Sequence, residues 1–260
     1  MHLLFLDETN KEPTEKIRFF LYGGLFIPAE KVGTIHSEIE GARIRYGYAP
    51  SDRVKFDTNV RPKAVSQENC TKLKQEIIEI CHKCGCRFSV LVLHHKIASK
   101  QNPEAKFLWS STGIIGHFNY FLSKEVNDYG LVLVDRLPIK SSDNHLEDIF
   151  TYGLDIDGKR QKLDRIAGLG SISIGASHLS SAIDVILGTF RFCVNNLSDD
   201  PKIKLMLCSV ARMLWHKEVD GVKYVAERGL LIRPKEIKVP SYKTDYDDLV
   251  RKMESLIKEI

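Results

Sequence analysis

Residues 2–27, which read HLLFLDETNKEPTEKIRFFLYGGLFI, carry the strongest indication of the fold. Two apolar runs, His2–Leu6 and Arg18–Ile27, flank a polar segment. This pattern predicts a hairpin of two buried strands. The first strand is predicted to end at two acidic residues, Asp7 and Glu8.

Downstream of the hairpin, strand and helix patterns alternate along the chain. Helical spacing of apolar residues follows Ser66 and Pro103, and apolar strands are predicted at Arg87–Leu93 and Tyr129–Val134. The remaining predictions are a turn at 168–170, a short strand around 171–174, and helices near 144–152, over 177–195, from Pro201 and over 246–260. A hairpin followed by alternation predicts an α/β fold, with a mixed sheet flanked by helices.

The composition is that of an ordinary globular protein. Of the 260 residues, 43% are hydrophobic and 28% charged, and 38 basic residues face 34 acidic ones. This mild positive charge permits nucleic-acid binding without arguing for it. Six irregularly placed cysteines suit a reducing compartment, and the apolar start is too short for a signal peptide. We expect a cytoplasmic location, no membrane association, and one domain over residues 1–260 with a helical C-terminal extension at about 201–260.

Three acidic residues are candidates for a shared site. Asp7 follows the first strand, Asp135 follows Tyr129–Val134, and Asp184 lies inside the apolar helical segment Ser180–Gly188. If the two strands are adjacent, Asp7 and Asp135 lie side by side, and small neighbours allow Asp184 to approach them from the helix. Clustered carboxylates repel one another unless cations neutralise them, and oxygen ligands suit Mg²⁺ or Mn²⁺.

Each acidic residue also has an ordinary structural explanation. An aspartate at a strand end is often a turn or cap residue, and Asp184 alone could pair with Arg191. The metal-site hypothesis gains weight because the three acids fit one topology.

Cys81, Cys84 and Cys86, with His94 and His95, could suggest a zinc site. A structural zinc site wants four ligands in well-separated pairs. A packed helix end with buried thiols is the better interpretation.

Several short motifs in this chain follow one family pattern. They are Leu6–Asn10, the Gly-containing strand Leu21–Ile27, Arg53–Phe56, the strand ending at Asp135, Ser181–Asp184 and Gly229–Pro234. Together they resemble domain-of-unknown-function family 3800, a ribonuclease H-like family. The resemblance spans nearly the whole chain and implies a ribonuclease H-like sheet with an acidic site.

Two departures from the family pattern concern the surroundings of the acids. Ser181 and Ile183 replace a glutamine and an alanine of the family, and Arg53 stands where an acid is expected before the lysine. The core acids are kept, so metal binding is still implied, whereas substrate contacts are expected to differ.

Basic residues supply candidate substrate contacts. Lys55 could hold a phosphate, although an exposed loop lysine is the ordinary alternative. His178 could contact substrate or shuttle a proton, although a capping or surface role fits equally. Ten basic residues face four acidic ones over residues 201–243, which suggests either a phosphate-binding surface or a solvated helix face.

The predicted function is that of a Mg²⁺- or Mn²⁺-dependent nuclease, a hydrolase that cleaves RNA or DNA. Asp7, Asp135 and Asp184 would be the metal ligands, with Glu8 as a further ligand or a base. The alternatives are a non-catalytic nucleotide- or nucleic-acid-binding module and an interaction subunit of a partner protein. A divalent ion at the strand-end acids favours the enzyme, and a lysine or arginine filling the cleft favours the alternatives. The sequence leaves the oligomeric state open.

Overall fold

The structure is a computed structural model that describes residues 1–9, 17–98, 102–135, 141–156, 158–173, 177–196 and 200–258. The strands are β1 (His2–Thr9), β2 (Phe19–Pro28), β3 (Arg87–His94), β4 (Gly130–Asp135), β5 (Leu154–Ile156), β6 (Lys159–Gln161), β7 (Ile166–Ile172), β8 (Lys217–Val219), β9 (Val222–Tyr224) and β10 (Leu230–Arg233). The helices are α1 (Val32–Arg45), α2 (Gln67–Lys83), α3 (His95–Ala98), α4 (Pro103–Lys124), α5 (Ser141–Tyr152), α6 (His178–Asn195), α7 (Pro201–Ala211) and α8 (Pro240–Lys258).

The described residues form one large mixed sheet in the order β10-β3-β2-β1-β4-β7. β2 pairs antiparallel with both β1 and β3, β4 pairs parallel with β1, and β7 pairs parallel with β4. The predicted mixed α/β sheet and its N-terminal hairpin are confirmed. Leu6 lies opposite Val134 in the parallel register, so Asp7 and Asp135 follow at the same level of neighbouring strands.

Helices cover both faces of the sheet. Residues of α1, α2, α6, α7 and α8 form one core cluster with Phe5 of β1. Residues of α4 and α5 form the other cluster with Leu4 and Leu6. Side chains alternate along a strand, so Asp7 is on the same face as Phe5, which is the face covered by α6.

The structure differs from the predictions in several element boundaries. Gly168–Gly170, predicted as a turn, lies inside β7, where pairing with the buried strand β4 outweighs the low strand propensity of glycine. The predicted strand around 171–174 is the end of β7, and position 174 lies outside the described residues. β1 continues past Asp7 to Thr9, and α8 begins at Pro240 rather than at 246.

The C-terminal segment contributes both helices and a strand of the large sheet. β10 pairs parallel with β3 at one edge. The hydroxyl of Tyr246 on α8 donates a hydrogen bond to the Arg233 carbonyl at 2.8 Å and accepts one from the His94 backbone N–H. These bonds fasten α8 to the edge of the sheet. In the described part of the chain, every helix is too short or too polar to cross a membrane.

Candidate metal centre

The ends of β1 and β4 bring three carboxylates to one point. Asp7, Glu8 and Asp135 each offer an oxygen, and these oxygens all lie within 4.8 Å of one another. Within the residues that the structure describes, this is the one group of three or more His, Cys, Asp or Glu side chains that converges in this way. The adjacency of two parallel strands therefore creates an all-oxygen ligand set.

Asp7 is the most constrained of the three carboxylates. It is 5% exposed. Burial raises the pKa of Asp7 well above its ordinary value, and the neighbouring carboxylates of Glu8, Asp184 and Asp135 raise it further. The Glu8 backbone N–H donates a hydrogen bond to the Asp7 carboxylate at 2.9 Å, which opposes the shift. Such a group favours either a proton or a bound cation.

Tyr22 lies directly opposite Glu8 in the antiparallel pair of β1 and β2. Its side chain is fully buried, and its hydroxyl has no hydrogen-bond partner among the described residues. Burial, followed by the charges of Glu8, Asp7 and Asp135, raises the pKa of Tyr22 well above its usual range. The phenol therefore stays neutral and keeps a proton that it can donate in a hydrogen bond. Sequence reasoning missed this residue, whose signal is its hairpin register with Glu8.

Asp184 lies near Asp7 but has hydrogen-bonding partners of its own. Its Oδ2 accepts a hydrogen bond from the Phe56 backbone N–H at 2.6 Å, and its Oδ1 lies 3.3 Å from Lys55 Nζ. The Asp184 side chain is 18% exposed. It adds to the negative field at Asp7 but does not belong to the converging group of three. The sequence suggested Arg191 as an ion-pair partner of Asp184, whereas in the structure Asp184 pairs with Lys55.

Packing around Gly188 explains how the loop carrying Lys55 and Phe56 reaches α6. A Cβ at Gly188 would lie 2.2 Å from Phe56 Cγ, so the ring fills the space that the missing side chain leaves. Lys74 Nζ fixes the loop from the other side by donating to the Phe56 carbonyl at 2.6 Å and to Thr58 Oγ1 at 2.8 Å. Gly188 thus admits this loop to the site, whereas sequence reasoning expected it to ease the approach of Asp184 to the strand ends.

A cavity of about 290 Å³ opens beside the carboxylates. Asp7, Glu8, Lys55 and Asp184 line it, and Arg191 contributes a second cation. The Arg191 guanidinium donates to Thr9 Oγ1 at 3.1 Å and lies 5.3 Å from the centre of the Phe56 ring. Sequence reasoning did not assign Arg191 to the site. Its signal is the spacing of seven residues from Asp184, which is two helical turns along one face.

His178 is not brought to the carboxylates. It is the first residue of α6, six positions before Asp184, which corresponds to roughly 9 Å along the helix axis. Its Nε2 lies 2.9 Å from Glu40 Oε2, and its ring stacks on His36 with centroids 4.8 Å apart. Burial, followed by the charge of Arg43, lowers the pKa of His178.

The cysteines at the end of α2 are buried thiols. Cys81, Cys84 and Cys86 are all buried and free. A hydrogen bond with Cys86, followed by burial, raises the pKa of Cys81 well above its usual range. His94 is held elsewhere, with its Nε2 3.2 Å from Asp245 Oδ2.

The arginines of the basic segment 201–243 have structural partners. Arg212 pairs with Glu79 at 3.2 Å, and Arg233 pairs with Glu227 at 2.7 Å. The guanidinium of Arg228 lies over the adjacent rings of Trp215 and Tyr120, at 5.4 and 5.0 Å from their centres. A phosphate-binding role for this segment would therefore rest on its lysines.

No protein-family model and no curated protein matches this chain. Among solved structures, it is similar to the RNase HII in the "Structure of the PCNA:RNase HII complex from Archaeoglobus fulgidus". The two chains are 13% identical, with a TM-score of 0.40, over 80% of this chain and 87% of the other. Membership of domain-of-unknown-function family 3800 stays a prediction. Fold and site define an α/β protein with a carboxylate cluster at the ends of two adjacent parallel strands.

Proposed function

We propose that this protein is a Mg²⁺- or Mn²⁺-dependent phosphodiesterase that cleaves RNA or DNA. The observation that carries the proposal is the convergence of Asp7, Glu8 and Asp135 to within 4.8 Å, with Asp7 almost fully buried. Mutual repulsion in such a cluster is relieved by a divalent cation, and an all-oxygen set suits these two ions.

The donor set fits a hard divalent ion. Asp7 and Asp135 come from neighbouring strands of a rigid sheet, and Glu8 follows Asp7 in the same strand. When bound to such carboxylates, a divalent ion supplies a water of lowered pKa and stabilises negative charge on a phosphodiester. Asp184, proposed from the sequence as one of the three metal ligands, would join this set by exchanging its contact with Lys55 for the cation.

The remaining residues of the cavity have roles that follow from their charge. Lys55 Nζ is partly exposed and can turn from Asp184 to a phosphate oxygen, as the sequence-based proposal requires. Glu8 either binds the cation or accepts a proton from the attacking water. For His178 to contact the substrate, the bound nucleic acid would have to extend along α6 beyond the cavity.

The test is cleavage of end-labelled RNA and DNA, single-stranded and duplex, with Mg²⁺, with Mn²⁺ and with a chelator. We expect cleavage that depends on the ion and falls by at least about 100-fold in Asp7→Asn and Asp135→Asn. The matched control is Asp247→Asn, which removes an exposed carboxylate on α8. Equal cleavage by Asp7→Asn and Asp247→Asn would reject the proposal and point to a contaminating nuclease.

The second candidate is a non-catalytic module that binds a nucleotide or nucleic acid, alone or as a subunit of a larger complex. The ion pair between Lys55 and Asp184 favours it, because a lysine occupies part of the cleft. Lys55→Ala separates the two candidates. If the protein is a nuclease, Lys55→Ala should lose cleavage because it loses a phosphate contact. If it is a binding module, both the unmodified protein and Lys55→Ala should bind nucleic acid without cleaving it.

A further inference from the structure

A second and larger cavity adjoins the carboxylate cavity. Its volume is about 780 Å³, and its walls come from the loop 56–59 and from α2, α6 and α7. Phe56, Asp57 and Arg191 line both cavities. The two cavities are therefore neighbours, and Arg191 is one of the residues at their boundary. We refer to the larger space as the α2–α7 groove.

The walls of the α2–α7 groove combine apolar surface with amide groups. Phe192, Leu205 and Met206 give an apolar side, and Gln67 and Gln75 of α2 give amide donors and acceptors. Leu205 is 67% exposed. A volume of 780 Å³ lies in the range of pockets that hold drug-sized ligands, which is more than a single nucleotide needs.

Arg191 is a cation that lines both cavities. Of the other cations of the groove, Arg212 pairs with Glu79, and Lys74 is buried and donates to the Phe56 carbonyl and to Thr58 Oγ1. Arg191 donates to Thr9 Oγ1 and packs on the Phe56 ring, and it forms no ion pair within the described part of the chain. A guanidinium so held is suited to binding an anionic oxygen that lies between the two cavities.

We infer that the α2–α7 groove binds the unpaired bases of a single-stranded nucleic acid whose backbone passes Arg191 into the carboxylate cavity. This inference rests on the proposed function, since it assigns the substrate class of the same site. A single strand combines the three features that the groove would recognise: flat apolar base faces, hydrogen-bonding base edges and a regularly charged backbone. A duplex hides its base faces by stacking and pairing, so it cannot offer them to Phe192 and Leu205.

The test measures binding of a labelled single strand of about 12 nucleotides, as RNA and as DNA, by fluorescence anisotropy in a chelator that prevents cleavage. Leu205→Glu places a negative charge on the lip of the groove. Its matched control is Ile44→Glu, because Ile44 is also an aliphatic helix residue, 66% exposed, and lies on α1 away from the groove. We expect binding to weaken about tenfold in Leu205→Glu and to change less than about twofold in Ile44→Glu.

Arg191→Gln provides the second variant. It should weaken binding of the single strand and lower the slope of log affinity against log salt by about 0.7, which corresponds to one lost phosphate contact. An unlabelled duplex of the same sequence should compete poorly with the labelled strand. Thermal unfolding of each variant verifies that the fold is kept.

The outcomes separate this inference from the proposed function. Equal binding by Leu205→Glu and Ile44→Glu, an unchanged salt slope in Arg191→Gln, or no binding of a single strand by the unmodified protein would each overturn the inference, even if ion-dependent cleavage is found. Selective loss of binding in Leu205→Glu without any cleavage by the unmodified protein would support the groove and reject the nuclease.

Discussion

At the scale of the residue, Asp7 concentrates the energetic conflict of this protein. It is buried, and three other carboxylates lie near enough to raise its pKa. Strand and hairpin geometry hold these groups together, so the folded protein carries an unfavourable charge arrangement until a proton or a cation relieves it.

Asp7→Asn should stabilise the protein in the absence of divalent ions. At pH 7 the unfolded chain has Asp7 fully ionised at no cost, whereas the folded chain pays for that charge. The amide removes the cost, and we expect the free energy of unfolding to rise by about 1–2 kcal/mol in urea titrations. Because the pKa of Asp7 is raised on folding, this advantage should shrink as the pH falls from 7 towards the ordinary value of 3.8.

Divalent ions should narrow the difference in stability between Asp7→Asn and the unmodified protein. An ion at ten times its dissociation constant adds about 1.4 kcal/mol to the stability of the unmodified protein, and much less to Asp7→Asn. Thermal unfolding with and without Mg²⁺ or Mn²⁺ measures this, with Asp247→Asn as the control. If Asp7→Asn gained as much stability as the control, Asp7 would not be a ligand.

At the scale of the element, α6 and the loop before α2 build one wall of the site together. The contacts between the loop and α6 include the hydrogen bond from the Phe56 N–H to Asp184 and the packing of the Phe56 ring on Gly188. Both contacts are one helical turn apart on the same face of α6. Packing of Phe56 on Gly188, four residues after Asp184 on α6, therefore helps to hold Lys55 next to Asp184.

Gly188→Ala should displace the loop without breaking the helix. The new Cβ would overlap the Phe56 ring, and we expect a loss of about 1–3 kcal/mol in the free energy of unfolding. Trypsin should also cut faster after Arg53 and Lys55, because the loop loses its seat on α6. Urea unfolding and timed proteolysis measure the two effects.

Gly41→Ala on α1 is the matched control. At that position the nearest atom to a new Cβ is the end of the flexible Arg45 side chain, at 3.4 Å. Alanine there should stabilise the helix by about 0.5–1 kcal/mol, since it lowers the entropy cost of folding. Equal effects of the two glycine substitutions would show that the Phe56 ring does not depend on Gly188.

At the scale of the whole molecule, one buried hydroxyl group links the C-terminal helix to two strands of the sheet. Tyr246 is 2% exposed, and its hydroxyl connects α8 to both β3 and β10. β10 lies at the edge of the sheet that is farthest from β7. This contact therefore joins the last helix of the chain to β10 and to β3, where His94 lies 152 residues before Tyr246 in the sequence.

Tyr246→Phe should destabilise the protein by about 1–3 kcal/mol, because it leaves the His94 N–H and the Arg233 carbonyl without their buried partner. Tyr242→Phe is the control on the same helix, since the Tyr242 ring stacks on His94 at 4.5 Å and keeps that contact as phenylalanine. Urea unfolding of the two variants gives the comparison. A loss in Tyr242→Phe as large as in Tyr246→Phe would show that ring packing, and not the hydroxyl, holds α8.

The local features of this protein could be predicted from its amino-acid sequence. The spacing of apolar residues predicted the hairpin and the main helices, and the side chain of Ser66, which precedes one of these helical patterns, caps α2. The strand-end acids Asp7 and Asp135 were also visible. Such features depend on residues that are a few positions apart, so they can be predicted from the sequence without the tertiary structure.

The contacts between residues that are distant in the sequence depended on how the elements pack. Parallel pairing of β1 with β4 joined Asp7 and Asp135, and contacts across 129 positions gave Asp184 the partner Lys55. The turn expected at 168–170 became a strand because β4 was there to pair with it. Local spacing specifies the periodicity of an element and its ends, whereas the contacts of a site depend on the packing of segments that are remote in the sequence.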